Sequence, residues 1–152
     1  MRIELIEARN CPAELDPSPI EPSWVIEGNP QARSCLLSMS ACGTAKTIIW
    51  SCTEGTFNWY YDLDETIMIL EGAIVLQGES ALPKRYGAGD VIYFRKGAQA
   101  KWHVECYVKK IAFLRLNNPF PLGIVIRAIN KVTSLIARNG PVMAAACIAV
   151  AG

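Results

Sequence analysis

Histidine is almost absent, since His103 stands alone in 152 residues. No Cys-x-x-Cys pair occurs among Cys11, Cys35, Cys42, Cys52, Cys106 and Cys147. One imidazole cannot complete a tetrahedral zinc set with such scattered thiols, so no zinc site is expected. Charge is scarce too. Charged residues make up 19% of the chain and the formal net charge is +1. That balance offers no basic face to nucleic acid and no acidic tail. Long apolar runs are missing: residues 142–151 fall short of the roughly 20 needed to cross a bilayer as a helix, and membrane contact is not expected. The first residues carry Glu4 and Glu7 where a secretory signal needs an unbroken apolar core. A cytoplasmic location is therefore expected, with the cysteines as buried, reduced thiols. Cys42, beside Gly43 in a turn, carries the alternative of an exposed and reactive thiol.

Apolar residues, at 51%, are ample for one domain with a real core. Five of the nine prolines, Pro12, Pro17, Pro19, Pro22 and Pro30, crowd residues 1–33. Proline lacks the ladder donor, so this part reads as an extended arm with one short strand at 24–26. Such an arm wraps the outside of a small barrel or crosses to a second subunit. Residues 34–116 are rich in β-branched and aromatic residues broken by Gly and Asp turns. They predict strands at 35–40, 47–52, 56–61, 65–70, 73–77, 91–94, 100–104 and 107–116, the spacing of an all-β sandwich or barrel. Beyond Asn117 the period lengthens: Leu122, Val125, Ile126, Ile129, Val132 and Ile136 fall on one helical face, and Arg127, Lys131 and Arg138 elsewhere. Asn139-Gly140-Pro141 ends this amphipathic helix. The chain is expected to form a single domain over 1–152, divided into arm (1–33), barrel (34–116), and helix with apolar tail (117–152).

Two stretches carry the chemistry, from Gly55 to Gly72 and from Gly87 to Trp102. Trp59 and Tyr61 alternate on a strand and share a face. They are either core aromatics or a stacking wall for a planar ligand. Glu65 has three readings. It meets a cation, or its pKa is raised and it acts as acid or base, or it caps backbone N–H groups beside Asp62 and Asp64. Trp102 shares a face with Ala100, which turns His103 to the opposite one. Arg95, Lys96, Lys101, Lys109 and Lys110 form either a solvated rim or an anion clamp.

These stretches resemble the two motifs of the cupin superfamily. In the first motif a His-x-His pair precedes a Glu and then a Gly. Here three residues separate Tyr61 from Glu65 and six separate Glu65 from Gly72, so Trp59 and Tyr61 stand in the two histidine positions. In the second motif Gly89 and Gly97 fit, while Arg95 replaces a Pro, Ala100 the His and Val104 the Asn. Within the superfamily the chain resembles the branch of ureidoglycine aminohydrolase-like and ethanolamine-utilisation-like cupins. The resemblance implies a double-stranded β-helix (jelly-roll-like) barrel, all-β, often dimeric. The metal such barrels usually hold lacks its ligands here, so neither a metal nor another cofactor is expected. The expected function is a cupin that binds an unknown small molecule. Glu65 and Tyr61 are the candidate catalytic pair, and Trp59, Tyr61, Glu65, Arg95 and Trp102 the candidate ligand-binding set. A homodimer is expected. The alternative is a non-catalytic structural or interaction protein that uses its C-terminal helix against a partner, a dimer mate or a membrane surface.

Overall fold

Among the described residues eight antiparallel strands follow one another: β1 (Asp16–Pro17), β2 (Val25–Glu27), β3 (Ala32–Met39), β4 (Ala45–Tyr60), β5 (Asp64–Gly78), β6 (Lys84–Gly87), β7 (Val91–Phe94) and β8 (Gln99–Arg115). A helix, α1 (Phe120–Asn139), comes last. The computed structural model describes residues 6–117 and 120–139. The chain divides into two compact units, Met1–Asn117 and Asn118–Gly152.

In the first unit the sheet runs β1-β3-β4-β8-β5-β6, with β2 added to β4 and β7 to β5. The three long strands each serve both halves of the barrel. The first part of β4 pairs with β3 and its last part with β2, while β8 runs beside it throughout. Likewise β5 pairs first with β7, then with β6. The sequence suggested separate strands with turns at Gly55, Gly72 and between Val104 and Tyr107. Instead the strands run on through bulges. Register slips between Thr53 and Gly55 on β4, and between Ile69 and Glu71 and again between Gly72 and Ile74 on β5. A bulge bends a strand without ending its ladder. Gly72 shows why glycine is needed there. Its φ is +77°, and a Cβ would collide with the carbonyl oxygen of Tyr107.

The period of two decides what faces inward. Along β8, Ala100, Trp102, Val104, Val108, Lys110 and Ala112 are all buried. They meet Trp50, Cys52 and Phe57 from β4, and Ile67, Ile69, Ile74 and Leu76 from β5. The N-terminal arm stays with its own barrel. Asp16 and Pro17 pair with β3, Ile20 is buried in the core, and a 3-10 turn at Pro22–Trp24 leads into β2.

In the second unit α1 covers the predicted helix. Leu122, Val125, Ile126, Ile129 and Val132 are exposed. The side chains of Ile136 and Arg138, the apolar tail from 142 and Cys147 lie outside the described residues. Among the described residues no helix is long and apolar enough to cross a membrane.

Candidate functional site

The barrel interior centres on a buried ion pair. Lys110 donates from Nζ to Oε1 of Glu65 at 2.8 Å, and their side chains are only 4% and 7% exposed. Register places them: Lys110 lies between Trp50 on β4 and Ile69 on β5, while Glu65, the second residue of β5, lies opposite Phe94 on β7. Three indoles surround the ammonium. Its nitrogen lies 4.8 Å from the Trp102 ring centroid, 4.9 Å from Trp50 and 5.9 Å from Trp59. A desolvated ammonium over indole faces is attracted by the ring quadrupoles, which offsets part of its lost hydration.

Tyr61 closes the cluster. Trp102 donates its Nε1–H to the Tyr61 hydroxyl at 3.1 Å, and the Tyr61 ring stacks on Phe94 with centroids 4.2 Å apart. Burial, and then the negative charge of Glu65, hold the Tyr61 hydroxyl well above its usual value near 10, so it stays a neutral phenol. Burial likewise pushes the Cys52 thiol up to about 12, against the opposing pull of Lys110. Trp24 from the arm packs edge-on against Trp59, centroids 5.5 Å apart, so Trp59 is half-buried and held on several sides.

Four of the five residues singled out for ligand binding therefore come together: Trp59, Tyr61, Glu65 and Trp102. The fifth, Arg95, does not join them. It is exposed in the turn between β7 and β8. Lys110 was grouped with the surface lysines in the sequence reading, and the structure corrects this: Lys110 is buried, whereas its neighbour Lys109 reaches Glu71 at 3.3 Å near the surface. The signal was available, because Lys110 sits in the inward register of Val108 and Ala112. His103 faces outward as expected, with its Nδ1 2.9 Å from the Thr56 hydroxyl. Cys42 is exposed in the β3–β4 turn. Ser40 and then Thr44 hydrogen-bond its sulfur and draw its pKa down to about 7.

A divalent ion does not fit this interior. The positions of the three histidines hold Trp59, Tyr61 and Ala100, and the remaining carboxylate is already neutralised by Lys110. Among the described residues no three His, Cys, Asp or Glu side chains converge. The ammonium of Lys110 instead supplies the positive charge that faces Glu65.

Above this cluster the barrel opens into a cavity of about 520 Å³. Leu76, Phe94 and Ala100 are buried in its floor, and Lys84, Arg95 and Gln99 stand exposed around it. Phe94 thus packs against Tyr61 and Trp102 in the core and also borders the cavity.

A bulged antiparallel barrel with this motif spacing defines a cupin. Residues 39–112 match the EutQ-like cupin domain, and the chain is a cupin resembling that group. Among solved structures it is similar to a protein of unknown function from Pseudomonas syringae pv. tomato, at 30% identity and a TM-score of 0.62, over 67% of this chain and 44% of that one. It is also similar in fold to a putative ethanolamine utilization protein Q from Salmonella typhimurium, at 21% identity and a TM-score of 0.51, over 58% of this chain and 72% of that one. The EutQ protein of Clostridium difficile shares 16% identity at a TM-score of 0.50, over 59% of this chain and 65% of that one. No curated protein matches.

Proposed function

We propose that this cupin binds a small molecule at the open end of its barrel and that Glu65 is a counter-ion rather than an acid–base catalyst. The observation that carries the reading is the contrast between the two regions. Glu65 is buried and held by Lys110 behind the Trp102–Tyr61–Phe94 layer, while the cavity above that layer is open and largely apolar. A general base needs hydrogen-bond reach to a substrate proton, and Glu65 is not among the residues that line the cavity. Pockets with apolar walls and a few polar groups are the usual seats of small ligands. Trp59, Tyr61 and Trp102 then support the floor from below, and Arg95 contacts ligand at the rim. A cytoplasmic location accords with this reading.

The test uses 8-anilinonaphthalene-1-sulfonate as a fluorescent occupant. Ala98 is half-buried on the cavity wall, so Ala98→Trp should fill the space and abolish the dye signal. The paired change Glu65→Leu with Lys110→Met should leave it intact. Dye binding that survives Ala98→Trp, or that requires Glu65, overturns the proposal.

A second reading, a structural or interaction protein acting through its C-terminal helix, draws on a separate observation. Leu122, Val125, Ile126, Ile129 and Val132 form an exposed apolar row on α1. We propose a second copy of the chain as the partner. Val125→Glu with Ile129→Glu should then convert a dimer into a monomer by light scattering, and an unchanged mass refutes it.

A further inference from the structure

The cavity at the barrel mouth has a sign as well as a shape. None of its lining residues is Asp or Glu, while Lys84 and Arg95 stand on its edge. Neither cation is spoken for. The ion pairs among the described residues join Arg85 to Glu105, Lys109 to Glu71 and Lys110 to Glu65. Lys84 rests 5.1 Å from the Tyr86 ring centroid, and among the described residues the Arg95 side chain makes no hydrogen bond. Glu79 lines the adjoining hollow of about 280 Å³ instead. In a chain with a formal net charge of only +1, two unpaired cations on one apolar pocket make a local field that selects for an anion.

The lining also limits the rest of the ligand. Leu76, Phe94 and Ala100 make an apolar floor, and Leu82, 88% exposed on the β5–β6 loop, adds an apolar edge. Among its described residues the barrel unit contains no α-helix, so no helix N-terminus of that unit offers its backbone N–H groups to a phosphate here. A guanidinium and an ammonium on the rim of one pocket suit a small, planar anionic head.

We infer that the cavity takes an amphipathic organic carboxylate, with its aryl or alkyl body on Phe94 and Ala100 and its carboxylate between Arg95 and Lys84. This rests on the small-molecule-binding reading above and adds the class of ligand.

Three probes of one skeleton test it: 4-phenylbutyrate, 4-phenylbutan-1-ol and 4-phenylbutylamine. Their binding is followed by calorimetry on the full chain and on Arg95→Gln, Lys84→Gln and Ala98→Trp, each shown to be folded by circular dichroism. The carboxylate should bind about tenfold more tightly than the alcohol, and the amine more weakly than either. Arg95→Gln together with Lys84→Gln should bring carboxylate and alcohol to equal affinity, and added salt should do so in part. Equal affinity for carboxylate and alcohol in the unchanged protein overturns the charge inference and leaves the binding reading standing. If none of the three binds, or if Ala98→Trp changes nothing, the binding reading fails with it.

Discussion

Replacing Lys110 with Met tests the centre of the barrel most directly. The Lys110–Glu65 pair is 2.8 Å long and almost wholly buried. Removing one member of such a pair leaves an uncompensated charge and costs about 3–5 kcal/mol. The lost contacts with Trp50, Trp59 and Trp102 push the figure towards the upper end. That is a large part of the roughly 5–15 kcal/mol that holds a domain folded. Glu65→Leu alone should also destabilise, because it strands the ammonium. The double change, Lys110→Met with Glu65→Leu, should recover most of the loss, since well-packed apolar replacements for a buried pair are often neutral or better. The molecule contains its own control. Lys109 and Glu71 are 22% and 59% exposed, and Lys109→Met should cost less than about 1 kcal/mol. The assay is equilibrium urea unfolding at neutral pH, followed by tryptophan emission and analysed as a double-mutant cycle. Equal losses for Lys109→Met and Lys110→Met would show that the buried pair does not carry the weight assigned to it.

Tyr61→Phe removes the acceptor of the Trp102 N–H and should cost about 1–3 kcal/mol in the same assay. Because the Tyr61 hydroxyl is raised well above 10, its contribution is present below the unfolded value and lost as pH rises past about 10, so the variant should also show a flatter alkaline limb in thermal melts. Asp64 is held below its usual value by the Lys96 backbone N–H, then by Tyr93 and Asn117. A lowered acid adds stability above its unfolded value, about 3.9, and loses it as pH falls through the folded one; Asp64→Asn should therefore flatten the acid limb, and an unchanged acid limb would refute this. Among the thiols of the described residues, Cys42, at about 7, should be alkylated first by iodoacetamide and Cys52, at about 12, last. Ser40→Ala should slow Cys42, with labelling followed by mass spectrometry.

Glycine spacing and strand alternation made the barrel legible in the sequence. Gly55, Gly72, Gly89 and Gly97 marked the bends, and the 3.6-residue period marked α1. What local reading missed was the difference between a turn and a bulge. Gly72 looks the same in either case, and only the partner strand, with the Tyr107 carbonyl behind it, decides. The clustering of Trp59, Tyr61, Glu65 and Trp102 followed from alternation and motif position. Lys110 was misread because a lysine is rarely buried, so residue type outweighed register. Arg95 was drawn into the same site by its place in the motif, yet it lies one residue past Phe94 at the end of β7, where alternation sends it outward.

The continuous strands β4, β5 and β8 have a kinetic consequence. Each joins residues far apart in the chain, as when Ala45 pairs with Arg115 and Tyr60 with Gln99. Few of these pairings can form early, because each must first close a long loop of chain. Proteins with such high contact order fold in milliseconds to seconds rather than microseconds. Because β4, β5 and β8 each run from one half of the barrel into the other, opening one half disturbs the strands of both, and this cupin should unfold in one concerted step.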